Sequence, residues 1–556
     1  MKVSHFERLV ALQARRRAFL KGAAALAAGT ALGGSFAGRT YAADDMSADE
    51  KSLRAQILQI PGVGKGSPTD ADWQKVGELC LGPTKQNVQQ GEFAGVELTF
   101  MGLNNQNLHN FLFRGFLKPW EAYTGAKLNW IDLAQADYNA RLQQSIAAGT
   151  VDFDVIEMGA PFEGDTAGRG LLDEMPDWVA KQVDVDDYVN YLKPPVGTWN
   201  GKTYRVNLDG DTHTFCYRKD YLSDAAISGA TGMTDPPDTW AKVNDFTKKV
   251  KGQKDPLTGL DAFGFLDPLK YQWGGFGFYF LEDRATPYVK REGDPVWLFD
   301  PDTMKPLVNN PGWVQAIQDV LDLVEAGVYP SDQVNADPNT TAFQQFLAGT
   351  GAMLTWWGDV GSNARTSDSS VIGDVVGFSI NPGAEKVYNR QSDQWETPSS
   401  PNFAPNLAYL GWGVYVTNRV SGDEKKRKAA WSAAAHLGGK DLSLWMSAYP
   451  SGFQPYRNSH FNYDEWAEAG YDRDYVEDYL GSNLDSYNHP NGAIEPRIPG
   501  IFQYYSVAED ELVKGINGQY GSAQETADAI AAAWEKITDQ IGRDNQIKLY
   551  KASLGM

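Results

Sequence analysis

Trp199-Asn-Gly-Lys-Thr-Tyr-Arg-Val-Asn-Leu-Asp-Gly-Asp-Thr-His-Thr-Phe-Cys-Tyr-Arg-Lys-Asp220 is the stretch that decides the fold. Asn200-Gly201 predicts a tight two-residue hairpin turn, because both residues tolerate the positive φ that such a turn demands. Thr212 to Tyr217, rich in β-branched and aromatic residues, predicts a strand. Between turn and strand stand two carboxylates, Asp209 and Asp211, with Gly210 between them. A polar, glycine-jointed strand entry suits a chain that crosses from one lobe to another and leaves carboxylates at the crossing.

The chain on either side supports two lobes. Upstream, Val96-Glu-Leu-Thr-Phe-Met101, Lys127 to Leu133 and Phe153-Asp-Val-Ile-Glu-Met158 read as strands, separated by helices at about 108–123 and at Tyr138 to Ala148. This alternation predicts parallel crossovers and an α/β sheet with helices on both faces. Ligands in such sheets sit beyond the carboxyl ends of the strands, which makes Asn104, Asn105 and Gln106, then Met158 to Phe162, candidate loops. Downstream, a helix from Trp240 follows a Thr239 or Asp238 cap, and Asn310-Pro311 opens another that ends at Gly327. A shorter helix, Thr341 to Leu347, precedes the strand Ala352 to Trp356, which runs into Trp357-Gly358-Asp359. A further strand is expected around Val375 to Ile380, then a loop from Pro382 to Pro405. Leu410-Gly-Trp-Gly-Val-Tyr-Val-Thr417 repeats the entry of a glycine-flanked aromatic into a strand. Helices are expected at about 423–437, 441–448, 502–516 and 523–553. The aromatics of 271–280 read as core packing or as docking of a lobe on the extension, with a ligand platform as the alternative.

At 556 residues the chain exceeds one ordinary core, so two domains are expected. Arg16-Arg17-Ala18-Phe19-Leu20-Lys21 fits a twin-arginine export signal, followed by an alanine-rich apolar run and small residues for cleavage near Ala42. A soluble periplasmic protein is expected. Residues 1–42 hold seven Lys/Arg and one Glu, so the remainder carries a net charge of −27 against −21 for the whole chain. Such acidity repels nucleic acid and anionic membrane, which argues against both as partners. The two cysteines have nothing local to link them. Cys216, between Phe215 and Tyr217, reads as a small buried apolar residue. The Gly62 to Ser67 run, with Gly66 after Lys65, is a surface turn rather than a phosphate loop.

Catalytic signatures are scarce: no Gly-x-Ser-x-Gly, His-Glu-x-x-His, Walker or Cys-x-x-Cys motif occurs, and the six histidines are scattered singly. No cofactor or metal is expected. The recurrent equipment is carboxylate, amide and indole at loop and strand ends. Asp, Asn and Arg meet paired hydroxyls, and Trp or Tyr faces stack on a sugar ring.

In the order of its pieces the chain resembles an extracellular solute-binding protein of an ABC importer, of the maltose-binding type that serves sugars. The pieces are Lys118-Pro119-Trp120-Glu121-Ala122-Tyr123-Thr124-Gly125, Phe153 to Met158, Trp199 to Tyr204, Asp209-Gly-Asp-Thr, and Tyr217 to Leu222. Pro237 to Trp240, Phe343 to Gly349, Trp357-Gly-Asp-Val360 and Gly411-Trp-Gly-Val414 follow. The resemblance implies a two-lobed periplasmic binding-protein fold, each lobe a mixed, mainly parallel sheet flanked by helices, joined by hinge crossings. It implies lobe one at 93–208 plus 411–460 and lobe two at 212–406 plus 461–556, with 43–92 an extension. Carried over by position, Asp211 with Asp209 matches the hinge carboxylate, Asn104 and Asn105 the hydroxyl-binding loop, and Trp357 and Asp359 the aromatic segment of lobe two. Trp412 stands at the return crossing, Tyr504 and Tyr505 match the C-terminal aromatic platform, and Arg457 is a further candidate. The implied function is capture of a sugar or polyol by a monomer for delivery to ABC permease subunits in the inner membrane. An alternative is a secreted carbohydrate-active enzyme using Asp209 and Asp211. Residues i and i+2 of a strand share a face, however, whereas glycosidase carboxylates flank the bond from opposite sides about 5–9 Å apart. A receptor for another polar solute, such as a polyamine or a metal ion, would exploit the negative charge.

Overall fold

Two sheets organise the molecule. The structure is a computed structural model that describes residues 47–60, 68–104, 109–268, 270, 275–330 and 342–556, within the unit Thr40–Met556. The export signal, the Gly62 to Ser67 run, Asn105, Gln106, Tyr271, Trp273 and Thr341 lie outside the described residues. The described strands are β1 (Glu97–Leu103), β2 (Lys127–Leu133), β3 (Val155–Gly159), β4 (Arg205–Asn207), β5 (His213–Arg218) and β6 (Met353–Trp357). They continue with β7 (Val376–Ser379), β8 (Val387–Asn389), β9 (Gln394–Glu396), β10 (Asn406–Leu407), β11 (Trp412–Val416) and β12 (Ala493–Ile494).

Strand β1 carries the logic of the first sheet. Leu98 and Phe100 face a core with Leu112, Phe113 and Phe116 of the helix His109–Thr124. Met101 and Leu103 face another with Tyr138, Leu142 and Ile146 of the helix Gln135–Ala148. The side-chain period of two thereby places one helix on each face. The order is β2-β1-β3-β11-β4, with β1 parallel to β2 and β3, and β11 antiparallel to both its neighbours. The second sheet, β6-β5-β7, is antiparallel and sets His213 opposite Trp357.

The fold is bilobed, and the chain passes between the two sheets three times. The first passage joins β4 to β5, the second joins β10 to β11, and the third runs from the helix Lys440–Ala448 to the helix Tyr463–Ala469. The turn before β4 has φ 51° at Asn200 and 77° at Gly201, with Trp199 and Lys202 exchanging backbone hydrogen bonds of 2.8 and 3.0 Å. Caps fall where side-chain oxygens can reach free helix amides, at Thr239, Asn310 and Asp423.

Elsewhere the structure departs from the periodicity. The helix Phe276–Val289 is buried along its whole length, including Glu282, Asp283 and Arg284 in a row, so it carries no amphipathic stripe. The helices Tyr463–Ala469 and Arg473–Tyr487 fall in a stretch with no sequence expectation, and the loop from Pro382 contains the hairpin β8–β9. The last helix breaks at Gly542 (φ 111°) into Ala523–Ile541 and Arg543–Leu554. The extension forms three helices, Ala48–Leu58, Asp70–Leu79 and Gly82–Asn87. A Cβ on Gly77 would meet the Phe116 carbonyl oxygen at 2.2 Å, so this helix lies backbone to backbone on His109–Thr124. The buried Arg54 joins Asp441 (2.9 Å) and Glu465 (3.0 Å), one on each side of the third passage. Cys80 and Cys216 are both buried and free.

Candidate functional site

The first and third passages meet at Gln454, a fully buried residue of the third, and the second lies against the first at Gly411, where a Cβ would meet Asp209 O at 2.3 Å. Its backbone N–H donates to Asp209 Oδ1 (2.6 Å) and its Nε2 to Asp211 Oδ1 (2.6 Å). Its Oε1 accepts from the Gly358 N–H (2.9 Å), just beyond β6, and from the Thr212 N–H (3.4 Å). One amide therefore ties the first passage, the third passage and the end of the second sheet together. Gly210 permits this by close approach, since a Cβ there would meet Pro455 O at 2.6 Å and Tyr456 Cβ at 2.8 Å. Its φ lies outside the left-handed region, so its part is to make room rather than to turn the chain. Tyr487 caps the contact by donating to the carbonyls of Gly210 and Pro455, and Tyr191 donates to Asp211 O (3.1 Å).

The electrostatics follow from removing these carboxyls from water. Burial pushes Asp209 up to about 7, against the hydrogen bonds from the Gln454 and Gly210 amides and the nearby His109. Burial, then the charges of Asp209 and Asp359, lifts Asp211 well above the usual carboxylate range. Asp359, following β6, is raised by burial and then by Asp209. A second buried group lies beside the second passage. Glu495 accepts from Tyr279 OH (2.7 Å) and the Tyr409 N–H (2.9 Å), and burial pushes it up to about 8. Glu282 is also raised well above the usual carboxylate range, by burial and then by Glu495.

Of the residues singled out in the sequence, Asp209, Asp211 and Asp359 come together around Gln454. Trp357 ends β6 with its ring edge-on to His213 at 4.5 Å. Trp412 opens β11 half-buried, 4.9 Å from the Tyr409 ring. Asn104 is exposed beyond β1, its N–H donating to Leu133 O (2.8 Å). Tyr505 is buried with its hydroxyl facing Glu282 and Glu495. Tyr504 points elsewhere, with its hydroxyl on Thr538 (2.9 Å) and its ring on Phe299 and Trp534 in the C-terminal helical core. Arg457 is fully buried and donates to Gly438 O (2.6 Å), Asp184 O (3.1 Å) and Ser443 Oγ (3.2 Å), between Tyr188 and Tyr456. Gln454 stands in the sequence as a polar residue of the loop Gly452 to Ser459, beside Pro455 and Arg457, but is not among the residues the sequence assigns to the site. Its one local signal is an amide set between Phe453 and Pro455 in a loop. Among the described residues no cluster of His, Cys, Asp and Glu is placed to hold a metal ion.

Two sheets joined by three chain passages, with a polar knot and tryptophans where they meet, define a bilobed binding protein of α/β class. The chain belongs to the bacterial extracellular solute-binding proteins, a family whose profile matches residues 116–467. That family consists of non-catalytic solute-binding proteins. Among curated proteins, the lactose-binding protein of Rhizobium radiobacter is 29% identical over 167 residues, covering 28% of this chain and 36% of that relative. The chain thus matches little more than a third of the curated relative's length. An ABC transporter solute-binding protein of Agrobacterium radiobacter K84, solved with ribitol, superposes with TM-score 0.60 at 18% identity, over 81% of this chain and 99% of that one. The maltose-bound MalE3 of T. maritima superposes with TM-score 0.59 at 18% identity, over 80% and 100%. These likenesses establish the fold.

Proposed function

We propose that this protein is the periplasmic receptor of an ABC importer, which captures a sugar or polyol between its lobes and presents it to the membrane permease. The observation that carries the reading is the junction of the first and third passages through Asp209, Asp211 and Gln454, with Gly411 of the second passage packed on Asp209, next to Trp357 and Trp412. Carboxyls that burial keeps protonated can donate as well as accept, which suits hydroxyls, and indole faces suit the C–H faces of a ring or polyol chain. The ribitol and maltose complexes of the structural neighbours, and the lactose-binding relative, support this ligand class. In this reading lobe one is 93–208 plus 411–460, lobe two is 212–406 plus 461–556, and closure about the passages traps the ligand. Asp209, Asp211, Asp359, Trp357 and Trp412 contact it, with Asn104 and Tyr505 at the margins. Export follows the twin-arginine route with cleavage near Ala42, and the receptor works as a monomer.

Titration calorimetry and thermal shift against ribitol, D-mannitol, lactose and maltose test the reading. At least one is expected to release heat and raise Tm, and Asp211→Ala is expected to lose most of that affinity. No response from any member of a wider sugar and polyol panel, or binding that Asp211→Ala leaves unchanged, sinks the assignment. A bound oligosaccharide is expected back intact after long incubation.

A further inference from the structure

Two histidines that the sequence shows only as isolated residues have matching surroundings, one in each lobe. His109 opens the helix after β1 and is buried at 2% exposure; its Nδ1 lies 2.5 Å from Glu157 Oε1. Glu157 is fixed in turn by the Leu103 N–H (3.2 Å), at the carboxyl end of β1. The His109 ring stacks on Phe453 of the third passage at 4.3 Å and stands edge-on to Trp412 at 5.7 Å and 87°. His213 begins β5 just beyond the first passage, fully buried, with Nδ1 2.7 Å from Asp283 Oδ2. Asp283 is fixed by Asn381 Nδ2 (3.1 Å). The His213 ring stacks on Phe280 at 4.9 Å and stands edge-on to Trp357 at 4.5 Å and 86°.

Each imidazole is therefore held by a buried carboxylate, a flat aromatic and a perpendicular indole, an arrangement that fixes both position and tautomer. Neither Nε2 has a hydrogen-bond partner among the described residues, although both rings are buried. A buried polar atom left unpaired costs about 1–3 kcal/mol, so an arrangement repeated on both sides of the site calls for a common partner. With the Nδ1 proton facing the carboxylate, a neutral ring offers a lone pair at Nε2, and a charged ring offers a proton. A hydroxyl can answer either, because it both donates and accepts. His213 lies two residues from Asp211, and His109 is near enough to Asp209 to favour its ionised form. The two rings thus approach the same polar knot from the two lobes.

We propose that His109 and His213 are ligand-contacting residues, each offering Nε2 to a hydroxyl of one polyhydroxylated ligand, so that full affinity requires both lobes to close on it. This rests on the sugar or polyol reading above. In the test, the ligand among ribitol, D-mannitol, lactose and maltose that wild type binds tightest is titrated into His109→Asn and His213→Asn. Asparagine can keep the bond from the Nδ1 position to the carboxylate but removes the atom at Nε2. The glutamine variants place an amide near the Nε2 position instead. Each asparagine variant is expected to bind about tenfold more weakly, which corresponds to one lost buried hydrogen bond, and glutamine is expected to recover part of the loss. In 15N-histidine-labelled wild type, saturating ligand is expected to shift both Nε2 resonances. Unchanged Kd in both asparagine variants, or Nε2 resonances that ligand does not move, overturns the inference while the receptor reading stands. If a variant does not fold, the wild-type resonances decide. If wild type binds none of the four, its tightest ligand from the wider sugar and polyol panel takes their place, and if it binds no member of that panel the receptor reading itself fails and takes the inference with it.

Discussion

Replacing Gln454 by leucine removes three side-chain hydrogen bonds and keeps similar volume. The Gly358 N–H and Asp211 Oδ1 lose partners at 2.9 and 2.6 Å inside a region closed to water, while the weaker Thr212 contact at 3.4 Å adds little. At about 1–3 kcal/mol for each buried group left unpaired, the loss is about 4 kcal/mol. For a unit of this size the unfolding entropy is about 1 kcal/mol per degree, so Tm is expected to fall by about 4 °C. Gln454→Glu sharpens the test. A protonated glutamic acid can still donate to Asp211, whereas its carboxylate adds a like charge to three buried acids. Its Tm deficit relative to wild type is therefore expected to grow between pH 5 and pH 8. Differential scanning calorimetry of the unliganded protein measures both effects. A Leu variant within about 1 °C of wild type, or a Glu variant whose deficit ignores pH, would refute the view that this amide holds the passages together.

Stability should fall as pH rises from about 6.5 to 8.5, because Asp209 at about 7 and Glu495 at about 8 hold protons that the unfolded chain has already released. That contribution is fully present below their unfolded values and is lost as pH passes through the folded ones. Below pH 6.5 the buried His436, lowered to about 4 by desolvation, pulls the other way and blunts the slope. Tm measured across this range, with Asp209→Asn and Glu495→Gln flattening the decline, checks the sign; a rising Tm contradicts it. Arg54→Ala leaves Asp441 and Glu465 without their cation and is expected to cost about 3 kcal/mol, recovered in part by adding Asp441→Asn and Glu465→Gln. Equal Tm values for the single and triple variants would deny the extension this anchoring role. Trp412→Ala is expected to weaken sugar binding at least tenfold in calorimetry; an unaltered Kd removes Trp412 from the site.

Some of this was legible because its cause is local. The Asn200-Gly201 turn, the Thr239 and Asn310 caps and the period of two in β1 depend on the φ, hydrogen-bonding reach and side-chain direction of residues next to one another. The alternation of these elements was enough to imply the parallel crossovers of the first sheet, whereas the second sheet is antiparallel and the two lobes rested on the resemblance. The run Asp209-Gly210-Asp211 could be placed at a passage for the same reason. What the residues meet there could not, because Gln454 is more than 240 residues away and is brought in by tertiary packing.

The helix Phe276–Val289 hid its nature because the hydrophobic period fails when every face is buried, and the partners of Glu282, Asp283 and Arg284 lie far from them along the chain. Arg457 and Tyr504 carry groups suited to a ligand, but their hydrogen bonds are spent inside the protein, on Gly438 and Asp184 and on Thr538. Residue type and spacing determined which elements form and in what order they alternate. Only the tertiary structure decided which polar groups are satisfied at home and which, like Nε2 of His109 and His213, are buried with a hydrogen bond still to make. Burial is a property of the whole chain's packing, and a polar atom's need for a partner is set by the water it has lost.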